Sequence, residues 1–568
     1  MPTFSNNHGF NQSNTIRPTV WSITGSDSVA GIGIQADHLT IQDLGGHACK
    51  VVTAVTTQNS ADTAPTSSKL LLNQLNRLLS DLMPSAIKIG LLANTEQFQL
   101  ISQWLKTVLA DHQHKHKLNI PIIWDFATVS TSEHSLKFVN NRPTVHDYLC
   151  LAKQVTLITS NESEFKQLAN MCISEDVSSQ CAVENVSNTL SANILVTGSD
   201  EDRGKDKDED ENKEYITDWL AAKSIAHTSA YHEQQRIGFK SSRINPNYDQ
   251  GSSDALLNSS SNGTLSSAIA TTMALGHPLL DAIVIARAYV QQGLLNARGL
   301  DKSLGISAPK GWPNNLLHFP EILLPKYPCV STMPSLKFAA ITEPLQVYTV
   351  TQSIHVLEQV LKAGARTVQL RIKLDANTDA VSQDPELELE PEPEPELAQY
   401  HHDKIENDII RAIALGREYA AQVFINDHWQ LALKHSAFGV HLGQEDLLHA
   451  DLSQIAEAGL ALGLSSHGYF EMLLVQQLSP SYLAIGHIFP TPTKRMPSLP
   501  QGLLKLSRYC QLLNGKIPLV AIGGVTIHNL PQLKSTLVND VAVVRGIELA
   551  ENPGQSWLAL QQKWQALA

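Results

Sequence analysis

QVYTVTQSIHVLEQVLKAGARTVQLRIK (346–373) decides the fold of the C-terminal part of this chain. Two short apolar runs, QVYTVT (346–351) and TVQLRIK (367–373), flank a helix-like segment. The pattern recurs in QVFIND (422–427), FGVHLGQED (438–446), LALGLSSH (460–467), YLAIGHIFPTPTK (482–494), PLVAIGG (518–524) and DVAVVRGI (540–547). Helix-like segments separate most of these runs. Eight parallel strands alternating with helices predict a (β/α)8 TIM barrel. In that fold the reactive groups gather at the carboxyl ends of the strands. Here those ends carry Arg371, Lys373, Asn426, Asp427, Asp446, Ser465, His467, Thr491, Thr493, Lys494, Gly523 and Gly524. Acids, bases and glycines on one rim predict a site for a phosphorylated ligand and a divalent metal.

Outward from the barrel, 568 residues are too many for one core, so a second domain is expected. Residues 309–335 are rich in proline, which predicts a packed linker over 319–345. Over 19–318 the strand candidates are VWSITGS, HACKVVTAVTTQ, SAIKIGLL, IPIIWDF, QVTLITS and NILVTGS. GTLSSAIATTMALG and LLDAIVIARAYVQQGLL have helical apolar spacing. A second α/β domain with a mostly parallel sheet is predicted. Residues 1–18 read as a polar, disordered tail.

The net charge of −13 is concentrated in two places. Segment 200–214, DEDRGKDKDEDENKE, holds nine acids and four bases. Segment 384–397, DPELELEPEPEPEL, holds seven acids and no base. Both predict solvated loops, within insertions over 199–214 and 374–400. The Glu-Pro repeat should be extended, since proline stops helix growth and the carboxylates repel. The remainder is nearly neutral, so nucleic acid is not an expected partner. No apolar run reaches 18 residues, so no membrane span is expected. Six scattered cysteines without a CxxC pair, and no visible secretory signal, predict reduced thiols and a cytoplasmic location. A homo-oligomer is compatible with the sequence.

On one strand face VQLRIK aligns Gln369, Arg371 and Lys373. A pyrophosphate would neutralise them, arginine as a bidentate fork and lysine as a point charge; solvated end-of-strand charges are the plainer alternative. Asp427 and Asp446 suit Mg²⁺, which takes one or two carboxylates along with ligand phosphate oxygens; either alone would also serve as a helix cap. Thr491, Thr493 and Lys494 offer hydroxyls and a cation held by prolines. Gly523 and Gly524 offer backbone N–H groups where barrels often hold a phosphate, although a lone glycine pair is as readily a tight turn.

The motifs QLRIK, FINDHWQLALKH, GVHLGQEDL, GHIFPTPTK, MPSLPQGL and VAIGGVT, in that order across 346–568, resemble thiamine-phosphate synthases. The resemblance implies joining of hydroxymethylpyrimidine pyrophosphate to hydroxyethylthiazole phosphate, with release of pyrophosphate and use of Mg²⁺. It implies that Gln369, Arg371, Lys373 and Asn426 bind the pyrophosphate, and that Asp427 and Asp446 hold the metal. Ser465 and Lys494 contact the pyrimidine substrate and pyrophosphate, while Thr491, Thr493 and Gly524 take the thiazole phosphate. Lys494, with Arg371 and Lys373, assists departure electrostatically. Gln352 replaces an acid common after the first strand of that family, and the acidic insertion directly follows Lys373. A thiazole tautomerase or a ligand-sensing fusion is the competing expectation; retention of Arg371, Lys373, Asp427, Asp446 and Lys494 favours the synthase, because a tautomerase needs no pyrophosphate site.

SITGSDSVAGIGIQADHLTIQDLGGHACKVVTAVTTQNS (22–60), IKIGLLAN, ITSNESEF and NGTLSSAIATTMALG resemble hydroxymethylpyrimidine and phosphomethylpyrimidine kinases of the ribokinase-like α/β fold. The resemblance implies a pyrimidine site near Asp37, Thr56, Gln58 and Leu91, and a metal–nucleotide site at Asn161 and Glu164. The family's Gly-Thr-Gly-Cys-Thr turn is Ser260-Ser261-Asn262-Gly263-Thr264 here, so glycine replaces the catalytic cysteine. Asp125-Phe126-Ala127-Thr128 replaces Asp-Pro-Val-Met, Thr197 stands where a lysine is expected, and the early glycine cluster is Val29-Ala30-Gly31-Ile32-Gly33. These departures predict an inactive or severely weakened kinase; ATP is a cofactor only if that activity survives.

Overall fold

The structure is a computed structural model that describes residues 17–28, 31–56, 63–126, 143–172, 182–199, 215–223, 236–244, 254–296, 298–300, 303–306, 311–325, 327, 336–372, 395–491 and 499–567. The chain forms two compact units. The first lies within Met1–Lys223, Lys240–Pro313 and His318–Pro320; the second lies within Ser224–Phe239, Asn314–Leu317 and Glu321–Ala568.

In the first unit the strands are β1 (Thr19–Asp27), β2 (His47–Thr56), β3 (Thr63–Pro65), β4 (Ala86–Ile89), β5 (Ile122–Asp125), β6 (Leu157–Asn161), β7 (Asn193–Ser199) and β8 (Tyr215–Ala221). They lie side by side in the order β8-β7-β6-β5-β4-β1-β2-β3. The pairs from β2 through β1, β4, β5 and β6 to β7 are parallel, while β3 pairs antiparallel with β2 and β8 antiparallel with β7. The six predicted strands are all present; β3 and β8 were not predicted. The central strands are buried throughout, as parallel strands covered on both faces must be. Helix Leu279–Leu295 is buried along nearly its whole length, which explains its apolar composition. Strands β9 (Arg236–Ser242), β10 (Arg298–Leu300), β11 (Ser303–Ile306) and β12 (Glu321–Leu323) follow.

The second unit is a closed parallel barrel of β13 (Val347–Thr351), β14 (Thr367–Leu370), β15 (Gln422–Asn426), β16 (Gly439–Leu442), β17 (Ala461–Ser466), β18 (Tyr482–Ile485), β19 (Leu519–Ile522) and β20 (Asp540–Val543). Pairing of Val347 with Val541 and Thr349 with Val543 closes the ring. All eight predicted runs contain one of these strands. Glycine makes room for large interior rings: a Cβ on Gly463 would meet the Tyr482 ring at 2.3 Å, and one on Gly439 would meet Phe424 at 2.7 Å. Tyr348, Phe424 and Tyr482 then fill the centre with Leu345, Val350 and Ala542.

Residues 339–345, expected to be linker, instead form the floor of this barrel. Ala339 and Ile341 pack on its core. The Gln422 carboxamide oxygen accepts Thr342 N–H at 2.7 Å, and its nitrogen donates to Glu343 O at 3.0 Å and Thr367 Oγ1 at 2.9 Å. The segment 384–397 also differs from its prediction at one end, because a helix spans Pro395–Glu418. A proline suits the first turn of a helix, where its missing N–H leaves no bond unmade. Of the acidic stretches, 200–214 and 373–394 lie outside the described residues, as do 1–16. Among the described residues no helix is long and apolar enough to cross a membrane.

Candidate active site

At the rim of β14, Gln369 is buried and its Nε2 has no hydrogen-bond partner among the described residues. Buried amide donors are rarely left in that state. The ladder of β14 ends at Leu370, so Arg371 lies one step beyond the strand; its N–H still donates to Thr351 O at 2.8 Å. This corrects the expectation that VQLRIK is strand throughout. Lys373, the third member of that set, lies outside the described residues.

β15 ends in buried Asn426. Asp427 follows at φ +62°, a left-handed conformation that aspartate tolerates better than most residues. Its N–H donates to His441 O at 3.0 Å, tying it to β16. Asp446 is not directly after a strand, as predicted, but inside the short helix Gln444–Leu447 that follows β16. Its Oδ2 is 3.2 Å from where a Cβ on Gly443 would stand, so glycine there leaves the carboxylate its room. Burial pushes the His428 imidazole down, and the nearby Asp446 carboxylate opposes the shift. Asp446 is therefore close to the residue next to Asp427. The two carboxylates thus stand beyond the ends of two neighbouring strands, β15 and β16, and Mg²⁺ characteristically takes one or two carboxylates with water and phosphate oxygens completing its shell.

Ser465 lies near the end of β17, and its hydroxyl is 2.8 Å from His441 Nε2. His441 Nδ1 is 2.7 Å from the Tyr482 hydroxyl, which is 2.6 Å from that of Tyr348. Burial, with the Arg371 charge adding to it, pushes the His441 imidazole down to about 3, so the ring is neutral. Sequence reasoning missed His441, Tyr348 and Tyr482. The available signal was a histidine inside an otherwise apolar buried strand. His487 was missed as well: it follows β18, is buried, and its Nδ1 lacks a partner among the described residues.

Gly523 and Gly524 follow β19 at φ +96° and +69°. A Cβ on Gly524 would meet Phe489 Cβ at 2.7 Å, so the glycine pair fits closely against the segment that leads to Thr491. Thr493 and Lys494 lie outside the described residues. Near Gln352, Glu548 accepts the Gln352 N–H and the Thr351 hydroxyl, each at 3.0 Å.

In the first unit Asp37 is wholly buried and fully engaged. Its carboxylate accepts Ser22 Oγ at 2.6 Å, Ser267 Oγ at 2.7 Å and Lys88 Nζ at 2.9 Å. Lys88 Nζ also stands 3.6 Å from Asp125. Thr56, at the end of β2, donates its hydroxyl to Ser26 O at 3.3 Å, and Leu91 N–H donates to Thr24 Oγ1 at 3.0 Å. Gln58 lies outside the described residues. Asn161 and Glu164 cap each other: Asn161 N–H donates to Glu164 Oε2 at 3.0 Å and Glu164 N–H to Asn161 Oδ1 at 2.9 Å. Burial and Asp125 push Glu164 up to about 8. Residues 260–264 do not open a helix; they lie inside helix Asp254–Ala274. Their amides are thus spent on carbonyls one turn back rather than left free for an anion. Thr197 Oγ1 donates to Asn262 Oδ1 at 2.8 Å, and among the described residues outside its own helix a Cβ on Gly263 would meet Asp125 Oδ2, at 3.8 Å.

A closed eight-stranded barrel with carboxylates, amides and a glycine pair on its carboxyl rim defines a (β/α)8-barrel enzyme. The family model for thiamine monophosphate synthase matches residues 339–547, and that for phosphomethylpyrimidine kinase matches residues 27–307. The thiamine-phosphate synthase of Pectobacterium atrosepticum is 44% identical over 226 residues, 40% of this chain and 94% of that protein. That of Yersinia pestis is 46% identical over 216 residues, 38% of this chain and 88% of that protein. Among solved structures, a thiamine phosphate pyrophosphorylase from Pyrococcus furiosus is 26% identical, covering 39% of this chain and 96% of its own, with a TM-score of 0.31. Bacillus subtilis pyridoxal kinase is 20% identical, covering 52% and 97%, with a TM-score of 0.39. The chain belongs to the thiamine-phosphate synthase family and carries an N-terminal phosphomethylpyrimidine kinase-like domain.

Proposed function

We propose that this chain joins hydroxymethylpyrimidine pyrophosphate to hydroxyethylthiazole phosphate, forming thiamine phosphate and releasing pyrophosphate. The observation that carries the reading is the buried Gln369 Nε2 without a partner, on the same rim as Arg371, Asn426, Asp427 and Asp446. It is a donor kept for an acceptor-rich ligand. The C–O bond between the pyrimidine's exocyclic methylene and the diphosphate breaks, and the electron pair leaves with the diphosphate. The aminopyrimidine delocalises the positive charge left on that carbon. The thiazole nitrogen then forms the new C–N bond and retains the positive charge as thiazolium. No protein nucleophile is required.

Gln369 and Asn426 donate to diphosphate oxygens, while Arg371, Lys373 and Lys494 offset the charge that develops on them. Asp427 and Asp446 would hold Mg²⁺, which neutralises diphosphate charge when bound. Ser465 contacts the pyrimidine substrate. Thr491, Thr493 and the Gly524 backbone hold the thiazole phosphate.

The functional domains we infer are 19–318 and 346–568, the second with its floor. The first retains kinase ancestry with little or no phosphoryl transfer. Helical use of the amides at 260–264 and the absence of a side chain at Gly263 support that reading. The test is incubation of the purified chain with both substrates and Mg²⁺. Thiamine phosphate is the expected product, and its failure to rise above background removes the synthase reading.

A further inference from the structure

We infer that Tyr348 and Tyr482 fix His441 as its Nε2-protonated tautomer and thereby make the Ser465 hydroxyl a hydrogen-bond donor to the ligand. The four groups form one line of short contacts: 2.6 Å between the two phenols, 2.7 Å from Tyr482 to Nδ1, and 2.8 Å from Nε2 to Ser465 Oγ. Each member of such a line both donates and accepts, so its protons all point the same way.

The interior end decides which way. Tyr348 is 1% exposed and packed among Val350, Phe424 and Ala542. Among the described residues, Tyr482 is the hydrogen-bond partner of its hydroxyl. If Ser465 donated to Nε2, then Nδ1–H would donate to Tyr482 and Tyr482 to Tyr348. The Tyr348 proton would then have no acceptor, and a buried unpaired hydroxyl is disfavoured by about tenfold or more. In the opposite direction Tyr348 donates to Tyr482, Tyr482 to Nδ1, and Nε2–H to Ser465 Oγ. Every interior proton is used, and the one left over is that of Ser465, at the rim. A doubly protonated ring fails for the same reason, since Nδ1–H would donate to Tyr482 and leave one phenol proton without an acceptor.

The Ser465 proton is therefore free for an acceptor atom of the ligand. Gln369 Nε2, the unpartnered donor on β14, calls for the same kind of atom. On the synthase reading, on which this step rests, the acceptor belongs to the pyrimidine substrate.

The experiment is nitrogen NMR of the uncomplexed full chain labelled at histidine, with the His441 signals assigned by their loss in His441→Gln. The expected result is protonated Nε2 and unprotonated, hydrogen-bonded Nδ1. Tyr348→Phe should keep that tautomer, since Tyr482 can still donate to Nδ1. Tyr482→Phe should move the Nδ1 resonance towards that of a free unprotonated nitrogen, and raise the KM for the pyrimidine substrate about fivefold while kcat changes little. Protonated Nδ1 in the unsubstituted chain, or a change of tautomer in Tyr348→Phe, would overturn the inference. An unchanged KM in Tyr482→Phe would overturn the ligand step. The tautomer is read without substrate, so it can be determined even in a chain that makes no thiamine phosphate.

Discussion

Gly523 lies against His487 so closely that a Cβ on the glycine would stand 2.4 Å from His487 Cβ and 2.6 Å from its Cα. The contact joins the rims of β18 and β19, and Gly523 makes it at φ +96°. Gly523→Ala therefore meets both a steric clash and an unfavourable backbone conformation. The expected loss is about 3 kcal/mol of barrel stability, measurable as a lower urea midpoint. A variant with unchanged stability would mean that the two rims are not held together in this way.

Asp446 and Lys494 act on the same departing diphosphate in the proposed reaction. Asp446→Ala and Lys494→Ala should each lower turnover by about tenfold or more, the scale of one lost charge contact. Asp446→Asn should also raise the Mg²⁺ concentration needed for half-maximal rate. Unchanged rates in both alanine variants would refute the assignment.

A pH effect on stability is expected at the other end of the barrel. Burial pushes Asp540 up to about 6, against the N–H of Gln346, which donates to Oδ1 at 2.6 Å. The raised value means that the folded barrel prefers the protonated acid. Its contribution is complete below the ordinary carboxylate pKa of about 4 and is lost as pH rises through about 6, roughly 3 kcal/mol in all. Asp540→Asn should flatten the fall in stability between pH 4 and 7; thermal unfolding across that range is the check.

Lys88 holds two buried acids in the first unit, Asp37 at 2.9 Å and Asp125 at 3.6 Å. Lys88→Met leaves both carboxylates without their cation. Removing one partner of a buried pair costs about 3–5 kcal/mol. The loss should be greater at pH 8 than at pH 5, where Asp125, already pushed up by burial, can take up a proton, and denaturant unfolding at both values tests this. Equal losses would show that Lys88 does not govern their charge.

Phosphorylation of hydroxymethylpyrimidine phosphate from ATP by the full chain should be near background, below about 0.01 s⁻¹ against roughly 1–100 s⁻¹ for typical kinases. A rate within the typical range would overturn the reading of Gly263 and its helix. This is the sharpest test of the N-terminal half.

The barrel was legible because each of its strands is a short, mostly apolar run, as burial on both faces requires. The rim residues could be read because each follows such a run. Arg371 and Asp446 show the limit: the sequence marks the end of a strand only to within a residue or two, so Arg371 fell just past β14 and Asp446 inside a helical turn. His441, Tyr348 and Tyr482 were invisible for a different reason. Their function lies in contacts across β13, β16 and β18, and no local spacing records which strands close onto each other. In the first unit, serine and asparagine at 260–262 signalled a changed loop, but not that the helix begins as early as Asp254.

Residues 339–345 also set where the synthase half can be cut free. An expression boundary drawn at the first strand would strip away the backbone groups that satisfy the Gln422 carboxamide and uncover the underside of Tyr348 and Phe424. A fragment begun before Glu321 keeps that lid on the lower mouth, and also keeps Ile322, whose N–H donates to Gln477 Oε1 at 2.6 Å and whose carbonyl accepts from Gln477 Nε2 at 3.0 Å.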